Sequence, residues 1–403
     1  MIGLFLLDVL LQRLAVPGLP IALLLPVTLG WAVLAHRRRV VEIDATRLIW
    51  WALACGATGL MLLLQPLVVA GPLISIPSWA LVVVTSLPFA LRVRDRSVAT
   101  YTRMLRGAET IGCWLAVGCL AMTGTQLLGV PYRDVLADVL PSTLLLTDFN
   151  NTYPYSYGST LFRANAWIGL EPSFTSFQLG IALLASVLLR RSIWRTVLLV
   201  AGIASTAAGS GILLVAVGVF VLALYRRRMV LRRYVAPVVV LVGAVLATSF
   251  GQSLLGRSTE FSDPNSSTSL RAILPYDVLW PRWVAQTGVM LVGDGPGSSQ
   301  VLATSTGIGG LLVPTPVKIF FDYGLLGGAV LAAFLLACYV RSPSVSIAVA
   351  LLLSLWTVQP GLTTTALLLN AVIFVSLWVP RVEPPLEARP PTPRDEAPAE
   401  QGA

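Results

Sequence analysis

The stretch that decides the fold of this chain runs from Ser253 to Gly324 and reads SLLGRSTEFSDPNSSTSLRAILPYDVLWPRWVAQTGVMLVGDGPGSSQVLATSTGIGGLLVPTPVKIFFDYG. It is long, mixed in polarity and rich in Gly, Pro, Ser and Thr, whereas the sequence around it consists mostly of apolar stretches joined by short basic turns. Its four cations are Arg257, Arg271, Arg282 and Lys318. The side of a membrane on which this stretch lies therefore decides which ligands those cations can meet.

The composition indicates a polytopic membrane protein. Of the 403 residues, 56% are hydrophobic and 12% are charged, whereas a soluble domain carries about 25% charged residues. The deficit extends over the whole length, so we expect no separate soluble domain. The first twenty residues lack the basic region and the small-residue cleavage site of a signal peptide, and we do not interpret them as one.

Apolar stretches predict an all-α membrane fold with about twelve transmembrane helices, since a helix needs about 20 apolar residues to cross a bilayer. The first predicted span is interrupted by Asp8, Gln12 and Arg13, so the alternatives for residues 2–16 are a half-helix or an interfacial helix. We expect one polytopic domain over residues 1–380. The predicted spans cover residues 2–16, 18–35, 47–68, 73–91, 108–129, 173–189, 195–209, 211–225, 234–250, 317–340, 344–359 and 361–379.

The distribution of arginine predicts the orientation of these spans, because Lys and Arg in short loops stay cytoplasmic. The short connections and the C-terminal tail hold 21 of the 28 basic residues, whereas six lie on the opposite side. Both termini are then cytoplasmic, and two long loops at about 130–172 and 251–316 are external. The tail at 381–403 is rich in Pro, Glu and Ala and is predicted to be disordered.

The residue types present argue against several kinds of site. The four cysteines lie in apolar stretches without a CxxC pair, and the single histidine, His36, begins a basic run at a predicted helix end. A disulfide framework, a metal site and a serine-hydrolase triad are therefore not expected, and neither is a cofactor. The net charge of +9 lies mainly in the cytoplasmic connections, which indicates contacts with anionic membrane lipids rather than nucleic acid.

External arginines are the first candidates for a binding site, because they run against the positive-inside bias. Arg163 and Arg271 offer planar forks of donors that match phosphate oxygens, and they suit a lipid-linked pyrophosphate. The alternative is a loop salt bridge. Arg271 has Asp277 nearby in sequence, and Arg163 has Glu171.

Lys318 is the single lysine of the chain and lies at the outer mouth of the tenth predicted span. On a helix it shares a face with Asp322, four residues later. It is either a paired lysine at an interface or a cation that faces a ligand phosphate. The Gly-rich run Val292–Gly297 contains no GK[ST] and lies outside, where nucleotides are absent, so it predicts a backbone bend rather than a P-loop.

Short motifs occur along the chain in a recognisable order. They are Arg163 followed by Glu171-Pro172, the turn TAAGSG at 206–211, Arg271 followed by Gly293, Gly295 and Gly297, and Asp322 followed by GLLG at 324–327. With a long external loop between the ninth and tenth spans, this order resembles the O-antigen ligase and polysaccharide polymerase superfamily over roughly residues 100–380. The resemblance implies a GT-C-like fold and a metal-independent glycosyltransferase at the outer face of the bacterial cytoplasmic membrane.

The resemblance also implies roles for individual residues. Arg163 and Arg271 would hold the pyrophosphate of a polyprenyl-linked glycan, and Glu171 or Asp322 would accept the proton of the acceptor sugar hydroxyl. The residues expected to bind substrate beside them are Lys318, Arg282, Arg257, Asp294, Tyr155 and Trp167. The expected partners are the lipid-linked donor, an acceptor glycan, membrane lipids, and a flippase or chain-length regulator.

One departure from the superfamily favours a polymerase over a ligase. Ligases carry a histidine about ten residues before the GLLG glycine, and this chain has none near residues 313–315. The function expected is polymerisation of an O-antigen, capsule or exopolysaccharide. The alternatives are ligase-type transfer to a lipid or protein acceptor, a flippase or other transporter of lipid-linked oligosaccharides, and a scaffold without catalysis. A transporter would place charged residues within its spans.

Overall fold

The computed structural model describes residues 1–230 and 269–388, apart from residues 20, 147–148, 150, 156–158, 191, 309–310, 358 and 363. The predicted span at 234–250, Arg257 and the tail from 389 onward lie outside the described residues. The first part of the predicted long external loop, as far as residue 268, lies outside them as well.

Helices dominate the described residues, as the sequence predicts. They are α1 (Ile2–Leu11), α2 (Leu24–Arg37), α3 (Ala45–Val68), α4 (Ile76–Ser86), α5 (Val98–Leu127), α6 (Val135–Val139), α7 (Pro172–Leu188), α8 (Ile193–Thr206), α9 (Gly209–Val230), α10 (Ser269–Ala272), α11 (Leu274–Ala285), α12 (Thr287–Val292), α13 (Ser298–Ser305), α14 (Thr315–Ala337), α15 (Val345–Thr357) and α16 (Thr365–Phe374).

Three helices, α3, α5 and α14, are long and apolar enough to cross a membrane by length and composition. In the other apolar helices found among the described residues, the apolar part extends over 10–17 residues. The prediction of about twelve full-length spans in a GT-C-like arrangement therefore does not fit the structure. Proline explains one of the short helices: α4 ends at Ser86 and continues as the 3-10 turn Leu87–Ala90 around Pro88, which has no backbone N–H to donate.

Large apolar side chains cover the outer faces of several helices. Leu63 and Leu67 of α3, Trp114 of α5 and Trp194 of α8 are between 71% and 80% exposed. Monomeric soluble proteins rarely leave extended apolar patches in water. These faces therefore favour a location in which lipid covers them.

Two short strands depart from the all-α prediction. β1 (Val41–Ile43) pairs antiparallel with β2 (Leu91–Val93). Arg92 donates to Glu42 at 2.7 Å and to Asp44 at 3.0 Å across this ribbon. Three residues are too few for a period-2 pattern to stand out from the sequence. The ribbon brings together two arginine-rich connections that the sequence predicts on the same, cytoplasmic side.

The first residues of the predicted disordered tail, 381–388, pack against the turn between α14 and α15. Arg381 donates to the Ser342 carbonyl at 3.0 Å. The buried Glu387 accepts from the Ser344 hydroxyl at 2.7 Å and from the Ser346 backbone N–H at 2.9 Å. Composition alone missed this segment, because eight residues need no core of their own when they dock on an existing one.

The core surrounds α7, which is buried over nearly all of its length. Small residues allow its neighbours to approach closely, as in many membrane helix pairs. A Cβ added at Gly112 of α5 would lie 2.2 Å from the Ala182 Cβ, and one at Gly211 of α9 would lie 2.1 Å from the Ser176 carbonyl oxygen. This packing fixes the start of α7, where Glu171 is located.

Candidate functional site

Glu171 and Arg271 form an ion pair that joins the two segments predicted to be external. The Arg271 Nη2 donates to Glu171 Oε2 at 2.7 Å, and the Ser173 hydroxyl donates to the same oxygen at 2.9 Å. Glu171 is the residue before Pro172, the first residue of α7, while Arg271 lies on the one-turn helix α10. Residues 100 positions apart in the sequence thus meet at one point.

This ion pair is buried, and part of its hydrogen-bonding capacity is unoccupied. The side chains are 11% exposed for Arg271 and 6% exposed for Glu171. Glu171 engages one nitrogen of the guanidinium, and among the described residues no partner binds the other two nitrogens or Glu171 Oε1. Arg271 therefore presents donors that can meet a phosphate while its position stays fixed by the carboxylate.

Arg163 lies in a hairpin of the first external segment, where Pro154 and Phe162 form an isolated bridge. Its Nε donates to the Pro154 carbonyl at 3.1 Å, and its guanidinium carbon lies 5.4 Å from the centre of the Tyr153 ring. These contacts hold Arg163 to its own loop. Glu171, considered above as its partner, pairs with Arg271 instead.

The Gly-rich run Val292–Gly297 is a sharp bend, as predicted. Gly293, Gly295 and Gly297 all have positive φ angles, of 87°, 114° and 87°. A Cβ added at Gly293 would lie 2.4 Å from the Asp322 carbonyl oxygen. Only glycine can therefore occupy this position without displacing the backbone of α14.

Asp322 holds this bend in place. Its Oδ2 accepts from the Gly297 N–H at 3.0 Å, and its Oδ1 accepts from the Ser299 N–H at 3.0 Å and the Ser298 hydroxyl at 3.3 Å. The carboxylate thus caps the N-terminus of α13, where a negative charge is favoured. Both oxygens are occupied and the side chain is fully buried, which leaves Asp322 poorly placed to accept a proton from a substrate.

Lys318 shares a face of α14 with Asp322, as its spacing predicts. Its Nζ lies 2.7 Å from Asp322 Oδ2, and both side chains are buried. The contact matches the first of the two interpretations above, a paired lysine. A ligand phosphate would have to compete with this carboxylate.

Arg282 and Asp294 form a third ion pair beside the bend, with Nη2 and Oδ1 at 3.1 Å. Arg282 is about one-third exposed, whereas Asp294 is fully buried. Burial raises the pKa of Asp294 above its ordinary value, although the guanidinium opposes this shift. Arg282 is the partner that a ligand can reach.

An apolar cavity of about 250 Å³ lies between α11 and α14. Its lining residues are mostly aromatic and aliphatic, and they lie on the two helices that carry Arg282 and Lys318. They include Tyr276, Leu279, Trp280, Trp283, Phe320 and Phe321. The sequence analysis did not identify this cavity, because it depends on how the two helices face each other.

The two aromatic residues expected to bind substrate, Tyr155 and Trp167, have different environments. Tyr155 is 4% exposed, and its hydroxyl donates to the Ser205 carbonyl oxygen. Burial raises its pKa to about 12. Tyr155 therefore packs in the core rather than presenting a ring face to a sugar, which corrects the expectation. Trp167 is half-buried with a φ of 61°, and its backbone N–H donates to Asn165 Oδ1 at 3.0 Å.

A further polar cluster went unrecognised in the sequence. Asp8 of α1, Gln178 of α7 and Asn370 of α16 meet inside the helical bundle, together with Gln12. The sequence analysis interprets Asp8 and Gln12 only as interruptions of the first predicted span and did not identify their partners. A single Gln or Asn within an apolar stretch was the available signal, since each needs a buried partner.

Six of the predicted site residues thus form three ion pairs, of which the Glu171–Arg271 pair joins the two segments predicted to be external. Comparisons of the chain with protein-family models, with characterised proteins and with solved structures found no match.

Proposed function

We propose that this chain is a multi-pass bacterial membrane glycosyltransferase that polymerises a cell-surface polysaccharide. It transfers glycan from a polyprenyl-pyrophosphate donor to an acceptor glycan at the outer face of the cytoplasmic membrane, with both termini on the cytoplasmic side. The observation that carries the proposal is the Glu171–Arg271 pair, because it places a fixed arginine with unused donors beside a carboxylate.

In the proposed reaction, the acceptor hydroxyl attacks the anomeric carbon of the donor sugar. A new glycosidic bond forms, the bond between that carbon and the pyrophosphate oxygen breaks, and polyprenyl pyrophosphate leaves. Arg271 stabilises the negative charge on the leaving group. Glu171 accepts the proton of the acceptor hydroxyl at Oε1, since its Oε2 is engaged by Arg271 and Ser173. Asp322 is the weaker candidate because its oxygens cap α13.

Two further features support a lipid-linked donor. The apolar cavity between α11 and α14 can take isoprenyl units. Arg282, on the same helix as much of the cavity lining, is partly exposed, so a phosphate and its lipid chain can bind to neighbouring parts of α11. Arg163 supplies a second guanidinium from the other external segment.

A complementation experiment tests the proposal. The gene is deleted in the source bacterium, and polysaccharide length is resolved on gels after expression of wild type, Arg271→Lys, Arg271→Ala or Glu171→Gln. We expect all three variants to lose long polymer. Arg271→Lys restores polymer length in part at most, because lysine lacks the bidentate fork of arginine. The matched control is Arg133→Ala, since Arg133 is an exposed external arginine 3.9 Å from the exposed Asp138.

Polymer of wild-type length from Arg271→Ala at equal protein level in the membrane contradicts the proposed role of Arg271. Unchanged polysaccharide after deletion of the gene contradicts the polymerase function itself. A binding measurement separates the two cases: purified protein is heated with undecaprenyl pyrophosphate or with undecaprenol. We expect undecaprenyl pyrophosphate, but not undecaprenol, to raise the unfolding midpoint of wild type. Neither compound is expected to stabilise Arg271→Ala.

A transporter of lipid-linked oligosaccharide is the second candidate function. The observation that favours it is Asp8, an acid fully buried inside the bundle, because ionisable residues there often mark transport pathways. Vesicles that contain the purified protein and a fluorescent polyprenyl-linked oligosaccharide decide between the candidates. Movement of the lipid between leaflets without glycan elongation favours the transporter.

A further inference from the structure

The cluster around Asp8 contains more acceptor oxygens than donors. Asp8 Oδ2 accepts from Gln178 Nε2 at 3.0 Å and from Asn370 Nδ2 at 2.9 Å. Gln12 Nε2 donates to Gln178 Oε1 at 3.2 Å and to the Val9 carbonyl at 3.0 Å. Every amide nitrogen of the cluster is thus already engaged with an oxygen, and these contacts fix which end of each amide is which.

Three oxygens of the cluster lack a partner among the described residues. They are Asp8 Oδ1, Gln12 Oε1 and Asn370 Oδ1. The three side chains are at most 1% exposed. Buried polar atoms in native proteins almost always have a hydrogen-bond partner, because leaving one unsatisfied costs stability. Three unsatisfied acceptors in a single hydrogen-bonded cluster therefore indicate a missing species, either a hydrogen-bond donor or a cation.

The charge of the cluster limits what that species is. Both hydrogen bonds to Asp8 come from neutral amides, so neither cancels the carboxylate charge. One monovalent cation neutralises the cluster, whereas a divalent ion would leave a net positive charge buried in an apolar bundle. Carboxylate and amide oxygens are also the ligands that hard cations prefer.

We propose that Asp8, Gln12 and Asn370 bind a sodium ion inside the helical bundle. Asp8 supplies the charge, Gln12 and Asn370 supply carbonyl oxygens, and Gln178 orients Asp8 from α7. The ion links α1 to α16 and so stabilises the N-terminal helix against the rest of the bundle. This site is independent of the glycosyltransfer proposed above, because none of its residues belongs to the Glu171–Arg271 pair.

Thermal unfolding of the purified protein in detergent tests the site. The midpoint is measured in NaCl, KCl, LiCl and N-methyl-D-glucamine chloride at constant ionic strength and pH, without substrate. We expect sodium to raise the midpoint by about 2 °C for each tenfold increase in concentration above the dissociation constant. Asp8→Asn abolishes this dependence, whereas Asp138→Asn, which changes an exposed acid outside the cluster, keeps it.

Gln12→Met provides a milder variant, since it removes one oxygen ligand while keeping the charge and the approximate volume. We expect a weaker sodium affinity, seen as a shift of the dependence to higher concentrations. Binding of radioactive ²²Na⁺ to wild type at equilibrium gives a readout that does not depend on any variant folding. An absence of ²²Na⁺ binding, or equal midpoints in sodium and N-methyl-D-glucamine, overturns the proposal. So does a midpoint that changes with pH but not with sodium.

Discussion

Replacement of Asp322 by alanine provides the most informative test of how the glycine-rich bend at 292–297 is held in place. The carboxylate accepts two backbone N–H bonds and neutralises a buried lysine. Hydrogen bonds to a charged group contribute about 1.5–3 kcal/mol each, and breaking a buried ion pair costs about 3–5 kcal/mol. These effects overlap, so we expect a total loss of about 4 kcal/mol.

For a chain of 403 residues, a loss of that size lowers the unfolding midpoint by about 5 °C. The assay is thermal unfolding of the purified variant in detergent, followed by intrinsic tryptophan fluorescence. Asp138→Ala is the control, because its exposed carboxylate makes only a long contact with Arg133. A midpoint for Asp322→Ala within 1 °C of wild type refutes the structural role assigned to this acid.

The two members of the pair are not equivalent, and this difference sharpens the test. Lys318→Met leaves Asp322 with its donors from Gly297, Ser298 and Ser299. Asp322→Ala instead leaves Lys318 buried without its partner. We therefore expect Lys318→Met to be the milder change. A larger loss of stability in Lys318→Met than in Asp322→Ala contradicts the capping role of Asp322 described above. It would indicate that Lys318 does more than pair with this carboxylate.

Three further outcomes are expected from the same structure. Gly295→Ala destabilises strongly, because its Cβ would lie 2.4 Å from the Leu73 carbonyl oxygen. Gly307→Ala has open space around its Cβ and costs only the strain of a positive φ, about 1–2 kcal/mol; unfolding midpoints compare the two variants. Because burial raises the pKa of Asp294, the folded state holds the proton to a higher pH than the unfolded chain. Stability therefore declines as the pH rises from about 4 through the folded-state pKa, and Asp294→Asn reduces that decline in pH-dependent unfolding curves. Glu387→Ala removes two hydrogen bonds to an interhelical turn and lowers the midpoint by about 2–3 °C.

Sequence reasoning succeeded where a local pattern determines the structure. Apolar length predicted α3 and α14 with bounds within two or three residues of those observed. The i,i+4 spacing predicted that Lys318 shares a face with Asp322, and glycine content predicted the bend at 292–297. In each case the residues that determine the structure lie close together in the sequence, within one helix or one turn.

It failed where the structure depends on long-range contacts. The number of full-length spans was overestimated because apolarity alone cannot show where a helix breaks, as it does after α4. The residues next to Tyr155 in the sequence do not show that its ring is buried rather than exposed. The Asp8 cluster joins residues from α1, α7 and α16, separated by up to 362 positions, so no short motif could contain it.

The distinction between local patterns and long-range contacts also separates the two acids proposed for catalysis, Asp322 and Glu171. Asp322 and Lys318 lie on one helix and stabilise the bend that the glycines form, which makes them part of the scaffold of the segment predicted to be external. Glu171 and Arg271 come from different segments, and the pair has unused donors and an unused oxygen among the described residues. A site for a lipid-linked pyrophosphate needs fixed cations and a carboxylate that is still able to accept a proton. Of the acids considered, Glu171 meets that requirement. Glu171→Gln, which keeps the size of the side chain and an oxygen that can accept from Arg271, is therefore expected to remove activity while the protein stays folded, whereas Asp322→Ala is expected to act through stability.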